Sequence, residues 1–415
     1  MIKKILRRLS AFLICATLIF STAAFTACAG SSSPSGEETG SGDSSQGGED
    51  TGGGSSQGGE ESGSGSSQGG EDTGGGDSSQ GGEEISVDLT DEGIYFDFDL
   101  SKTVNSLNVE SFNGTVTGIF TADGREIKSG FSQEENFLRV NKVIFDKLLD
   151  GKKYSECETI SVKTSQNYLY KINVAICTKV INRVTELFSI CGTEQSVDAY
   201  YILGADLDCE GAGTFQMIDT SIYRPIDRFD GGETYVGDIG FKGIFDGRGH
   251  TISNLTTNNG YNYLGGVFGQ LCEGSVVKNV AFINITSNRY SALVGESTGF
   301  KGTIENVIVT ASAGCPETDF KFLWRIEEGA TIRNVIVAGF SEFSYTYSGG
   351  AIENLYGVVR NANNSYNNYD YNRYEDVSVM LSALAAINPF EDNAFISYDA
   401  SQNVIQFGGI TVISE

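Results

Sequence analysis

The chain has 415 residues, 28 Lys+Arg against 54 Asp+Glu, a formal net charge of −26 and a single histidine. So acidic a polypeptide repels phosphate backbones and anionic headgroups, which argues against nucleic acid as a partner and leaves cations and neutral glycans open. At the N-terminus, Lys3, Lys4, Arg7 and Arg8 precede an apolar run from Leu9 to Phe20, and small residues continue up to Cys28. That order reads as a secretory signal peptide over residues 1–27, too short and too closely followed by small residues for a spanning helix.

Phe25-Thr26-Ala27-Cys28-Ala29-Gly30 resembles a bacterial lipobox, which implies lipidation of Cys28 and membrane attachment through that anchor alone. Residues 28–84 then change character. Ser-Ser-Gln-Gly-Gly-Glu begins at Ser44, Ser55, Ser66 and Ser78, within Gly, Ser, Thr, Asp and Glu. Nothing there buries enough surface to offset ordering, so a disordered tether is expected. Gly-rich coil of that length spans on the order of 40 Å, which suits clearing a cell wall.

Residues 85–180 read as a small β-sandwich. Ile94 to Leu100, Ile160 to Thr164 and Tyr168 to Ile176 alternate apolar with polar residues, and Ser165-Gln166-Asn167 between the last two is a hairpin turn. Short strands at this spacing suggest an immunoglobulin-like arrangement, although the Cys and Trp signature is absent. From Ile181 to Gly240 the chain enters a second domain. Thr185 is the expected cap of a short helix ending at Ile190, and Tyr200 to Asp208 the first strand, shielding the rung behind it. Asp206 and Asp208, with Asp219, Asp227, Asp230 and Asp238 beyond, fit no calcium loop.

Residues 181–360 carry a phrase repeated five times: Thr251-Ile-Ser-Asn254-Leu, Val276-Val-Lys-Asn279-Val, Thr303-Ile-Glu-Asn306-Val, Thr331-Ile-Arg-Asn334-Val and Ala351-Ile-Glu-Asn354-Leu. The asparagines are 25, 27, 28 and 20 residues apart, the period of one supersecondary unit stacked on the next. Short aliphatic bursts such as Val307-Ile308-Val309, bounded by Gly and Asn, indicate strands and not helices. A parallel coil would turn Asn254, Asn279, Asn306, Asn334 and Asn354 inward at a corner as an amide ladder. Ser253, Lys278, Glu305, Arg333 and Glu353 would then face outward, alternating in sign from Lys278 onward. This is a register device in preference to a binding stripe.

A second burst precedes each phrase, at Gly266-Val-Phe-Gly269, Ala292-Leu-Val-Gly295 and Phe322-Leu-Trp-Arg325. Phe241-Lys-Gly-Ile-Phe-Asp246-Gly-Arg-Gly-His250-Thr-Ile-Ser-Asn254-Leu, then Gly265 to Gly269, then Val277-Lys-Asn279-Val resembles the GLUG-repeat surface proteins of bacteria, over roughly Tyr200 to Gly357. The resemblance implies a right-handed parallel β-helix of pectin-lyase-like architecture.

Cys157, Cys177, Cys191, Cys209, Cys272 and Cys315 show no Cys-x-x-Cys pair, which argues against zinc. An exported chain can pair six cysteines in fifteen ways; the alternative is buried free thiols, favoured by the anaerobic niche that the resemblance implies. Residues 361–415 hold an Asn/Tyr-rich loop, a helix over Glu375–Ile387 with Val379, Leu381, Leu384 and Ile387 on one side, and three short strands, read as a terminal cap. The expected fold is therefore all-β: a small β-sandwich, a right-handed parallel β-helix and a short C-terminal α/β cap.

The chemistry is sparse. His250 lies in the corner turn Gly247-Arg248-Gly249-His250, Asp246 suits bonding its own turn, and Ser or Cys nucleophile motifs are missing. Glycosidic chemistry needs two carboxylates about 5 to 9.5 Å apart, and no such cluster shows outside the alternating ladder. Tyr345, Tyr347, Tyr366, Tyr369, Tyr371 and Tyr374 cluster near the last coil, rings suited to sugar faces or protein surfaces. The reading is a monomeric, exported, lipid-anchored surface protein that binds an extracellular glycan, mucin or protein, with no metal and no cofactor. The alternative is a carbohydrate-active enzyme on the same scaffold.

Overall fold

The computed structural model describes residues 83–90, 95–191, 197–218, 240–257, 266–287, 291–295, 300–315, 321–359 and 372–414. All belong to the unit Ser78–Glu415. The expected leader, the anchor Cys28, nearly all of the tether, and Tyr366, Tyr369 and Tyr371 lie outside them.

The first domain is built from β1 (Ile85–Asp88), β2 (Tyr95–Asp99), β3 (Val104–Asn108), β4 (Val116–Thr121), β5 (Glu126–Ile127), β6 (Phe131–Glu134), β7 (Phe137–Asn141), α1 (Val143–Leu149), β8 (Ser155–Thr164) and β9 (Tyr168–Cys177). One sheet runs β1-β9-β8-β4-β5 with β2 also on β9, and the other runs β3-β7-β6. Both β1 and β2 lie parallel to β9, and every other pairing is antiparallel. This is the immunoglobulin connectivity, with the N-terminal strands added to the last strand. In place of a disulfide and tryptophan, the core holds stacked pairs Phe98–Phe145 at 4.8 Å and Phe112–Tyr170 at 4.1 Å. Helix α1 departs from the all-β expectation for this domain. Ile144, Phe145, Leu148 and Leu149 wedge it into the shared core. Tertiary burial there overrides the weak helix propensity of Val-Ile-Phe.

The parallel sheet starts with β10 (Lys179–Ile181), followed by α2 (Val184–Ser189), β11 (Tyr200–Leu203), β12 (Leu207–Asp208), β13 (Thr214–Phe215), β14 (Ile244–Asp246), β15 (Thr251–Ser253) and β16 (Thr256–Thr257). It continues through β17 (Val276–Ser287), β18 (Ser291–Val294), β19 (Thr303–Ala311), β20 (Lys321–Ile326), β21 (Thr331–Phe340), β22 (Glu342–Tyr347), β23 (Ala351–Val359) and β24 (Asn372–Tyr374). The main stack is β10-β11-β14-β17-β19-β21-β23-β24, parallel throughout, and β18-β20-β22 form a second face. This is a parallel β-helix. Two expectations need correction. The outermost rung is β10 and not the Tyr200 strand, which sits one rung inside it. Helix α2 is preceded by Arg183 and not capped by Thr185; no side chain caps it, and Glu186 instead accepts the Asn182 N–H at 2.8 Å.

Each coil uses its phrase in the same way. Val277, Ile304 and Ile332, then Val280, Val307 and Val335, then Phe282, Val309 and Val337 all fill the interior at full burial. The middle residue of each burst, Ala281, Ile308 or Ile336, faces outward yet is fully buried, because the C-terminal segment lies over it. That is why the bursts are continuously apolar where a half-exposed strand would alternate.

The covering segment comprises α3 (Val377–Ile387), β25 (Ile396–Asp399), β26 (Val404–Phe407) and β27 (Ile410–Ile413), the strands forming an antiparallel sheet. It is no end cap. It runs lengthwise along the flank, from Tyr356 on the last full coil back to Gly249, against which Phe395 and Gly408 pack. Asp376 caps α3 by accepting the Val379 N–H at 2.9 Å, and Asn388 ends it in the left-handed region. The buried stripe is Met380, Leu381 and Leu384, whereas Val379 and Ile387 face solvent at 48% and 58% exposure, contrary to the expected stripe. Each buried member contributes about 1.5 to 3 kcal/mol.

Among the six cysteines of the described residues, Cys177, Cys209, Cys272 and Cys315 are buried, Cys191 is half-buried and Cys157 is exposed. Burial pushes the Cys177 thiol well up and that of Cys209 to about 11, so both stay protonated and behave as apolar volume.

Candidate functional site

A coil that turns sharply between two strands needs one residue in the left-handed region, and Asn reaches it at lower cost than other residues with a Cβ. Asn279, Asn306, Asn334 and Asn354 have φ of 54°, 53°, 52° and 52°. Their amides form one directed row: Asn354 Nδ2 donates to Asn334 Oδ1 at 3.0 Å, Asn334 to Asn306 at 3.1 Å, and Asn306 to Asn279 at 2.9 Å. Asn279 Nδ2 then donates to Asp246 Oδ1 at 3.0 Å, so the row ends on a carboxylate, an acceptor that needs no donor of its own.

Asn254 is not in this row. Strand β14 pairs with the first part of β17, and β15 with Ala281–Ile283, which places Asn254 against Asn284 at the next corner. There Asn284 Nδ2 donates to Asn254 Oδ1, and Asn254 Nδ2 to Asp208 Oδ1 at 2.8 Å. Each corner thus carries its own amide row, closed at its first rung by an aspartate. Ser253 correspondingly leaves the charge column, and Asp246 stands beside Lys278 in its place. The column Asp246, Lys278, Glu305, Arg333, Glu353 alternates in sign throughout.

Asn279 is buried, but Asn306, Asn334 and Asn354 of the longer row do not face the apolar interior as expected. They line a solvent-facing cleft of about 570 Å³ between this corner and the turn after α3, together with Glu305, Arg333, Glu353, Glu391, Asp392, Ala394 and Phe395. The turn reaches the row through Asn393, whose Nδ2 donates to Asn306 Oδ1 at 2.9 Å. Arg333 Nη2 lies 2.7 Å from Glu305 Oε1, and that bond holds the guanidinium above its ordinary pKa. Glu391, Asp392 and Ala394 are exposed and Phe395 is half-buried.

Of the tyrosines, Tyr347 is half-buried against the coil interior and donates its hydroxyl to Gly350 O at 2.9 Å. Tyr374 packs on the covering segment, and burial raises its phenol. Tyr345 contributes its backbone to β22, and its side chain is outside the described residues. The described rings therefore serve packing. The cleft was missed in the sequence because its far wall comes from a turn some 35 to 90 residues downstream.

Two polar groups near the first coils are structural. Arg248, also left-handed at φ 53°, reaches from the β-helix to Asp97 of the sandwich at 3.0 Å and to the Tyr200 hydroxyl at 3.3 Å. Burial raises the Asp97 carboxyl despite that guanidinium. His250 Nδ1 lies 3.3 Å from Asp206 Oδ1, which also accepts the Thr251 N–H at 2.8 Å. The His250 bond, then the Thr251 N–H, holds the Asp206 carboxyl below its usual value. A folded pKa below the unfolded one stabilises fully above about pH 4, and that stabilisation is lost as pH falls through the folded value. Asp206→Asn is therefore expected to flatten the acid limb of a denaturation-midpoint profile below about pH 4.

Among the described residues, no group of three or more His, Cys, Asp or Glu is placed to hold a metal, and no helix is long and apolar enough to cross a membrane. No family model matches the chain, and no solved structure matches it. Part of the chain, 134 residues or 32% of it, is 30% identical to halomucin of Haloquadratum walsbyi (strain DSM 16790 / HBSQ001). The chain spans about 1% of the length of that curated relative, so the likeness is that of a segment.

Proposed function

We propose that this chain is a cell-surface binding protein: exported, lipid-anchored through Cys28, and displaying a GLUG-like β-helix beyond a Gly/Ser/Glu-rich tether. Its role is to hold an extracellular glycan, mucin or protein as a monomer, without chemistry. The observation that carries this reading is the polar cleft beside the long amide row. It opens to solvent on a rigid stack and presents amides, carboxylates and one guanidinium, the groups that orient a ligand on a preformed surface. The basic and apolar leader ahead of Cys28 and the partial likeness to a protein named as a mucin support the surface setting.

The test is retention of the purified protein on a glycan and mucin array. Binding to at least one surface is expected; none at all sinks the reading, and release of reducing ends from a pectin, host-glycan and wall-polymer panel favours the enzyme instead. For the anchor, palmitate labelling is expected to disappear in Cys28→Ala, and labelling that persists removes it.

A further inference from the structure

We propose that the cleft accepts an uncharged, extended polysaccharide strand laid parallel to the stacking axis, a reading that rests on the binding role above. The first support is its shape. Its inner wall repeats over three consecutive rungs, Glu305/Asn306, Arg333/Asn334 and Glu353/Asn354, so the same pair of positions recurs along a line. Successive rungs are about 4.8 Å apart, and two steps make roughly 9.6 Å. That length is close to one disaccharide of an extended chain, so a repeating ligand would meet repeating groups.

The second support is the kind of group on offer. The amides of Asn334 and Asn354 and the carboxylates of Glu353, Glu391 and Asp392 supply donors and acceptors close together. Hydroxyls, which donate and accept at once, are their natural complement. The half-buried ring of Phe395 in the same wall offers an apolar surface for the C–H face of a sugar.

Charge then narrows the class. Four carboxylates line the cleft against one guanidinium, and that guanidinium is already paired with Glu305. A uronate, sulfated or sialylated chain would meet net repulsion.

The experiment uses the full chain on an array of neutral glucans, mannans and galactans beside uronate-bearing and sulfated polymers and a polylysine surface. Retention is expected on a neutral polymer, changing less than about twofold between low and high salt because no ligand charge is screened. Ala394→Trp, which fills the cleft from the exposed turn, is expected to weaken that retention about tenfold or more with an unchanged denaturation midpoint, and Glu353→Gln severalfold, with at most a small downward shift of its midpoint for the lost charge opposite Arg333. If Ala394→Trp perturbs folding, Glu353→Gln decides alone. Neutral-glycan retention indifferent to the variants overturns the site and leaves the binding role standing. A preference for the anionic polymers or polylysine overturns the ligand class. Absence of retention on every surface overturns this proposal and the binding role together.

Discussion

Gly243→Ala is expected to be the most damaging single-methyl change in the β-helix. A Cβ at Gly243 would stand 1.9 Å from Ala199 O and 2.6 Å from Ala199 N, and both are backbone atoms of the neighbouring rung. No rotamer relieves such a clash, so the rungs must part. Parting them endangers the bonds on either side, Ile244 N–H to Ala199 O at 2.9 Å and Val276 N–H to Gly243 O at 3.0 Å. Overpacking costs about 1 to 3 kcal/mol and each buried backbone group left unpaired about 1 to 3 more, so the loss should be about 4 kcal/mol or greater. That is a large share of the roughly 5 to 15 kcal/mol that holds a domain folded. Urea denaturation followed by circular dichroism measures it. Gly314→Ala, where the added carbon would meet nothing closer than 3.8 Å, is the control and should shift stability by no more than about 0.5 kcal/mol. Equal midpoints for the two variants would discard the account of rung spacing.

Asn306→Ala should come next. Asn306 is the most connected amide of its row, donating to Asn279 and accepting from both Asn334 and Asn393. Three bonds at about 1 kcal/mol each, with about 1 kcal/mol for holding a Cβ in the left-handed region, give about 4 kcal/mol. Asn306→Gly separates the two contributions: it loses the same bonds and keeps the backbone relaxed, so it should be about 1 kcal/mol less damaging. Should alanine and glycine be equally tolerated, the amide row is ornamental and the corner is held by packing alone.

Much of the stack was readable from the sequence because its constraints are local. The left-handed corner demands Asn, the inward position after it an aliphatic, and the outward position before it a charge opposite to its neighbour's, as in Glu305-Asn306-Val307 and Arg333-Asn334-Val335. The same locality explains the misplacement of Asn254. Both corners need the same backbone, so Thr251-Ile-Ser-Asn254-Leu and Thr303-Ile-Glu-Asn306-Val are nearly one phrase, though they occupy different columns. The charge column held the missing clue. Lys278 wants an acid one rung back, which Ser253 is not and Asp246 is. The placement of the covering segment was half-visible. Ile308 and Ile336 face outward and could stay apolar only beneath something, and α3 with its three strands was the amphipathic material left without a partner. The cleft between them depends on the Asn393 to Asn306 bond, a meeting of distant residues that no local pattern records.

A solenoid joined only neighbour to neighbour frays from its tips, since coils far apart have no stake in one another. Here the C-terminal segment acts as a belt drawn along the coils from β17 to β23. It touches Ala281, Ile308, Ile336 and Tyr356 together and comes to rest against Gly249. No coil beneath it can peel away without stripping apolar surface shared with all the others. Unravelling of the coils beneath it should accordingly happen in one concerted rupture and not turn by turn from the C-terminal tip.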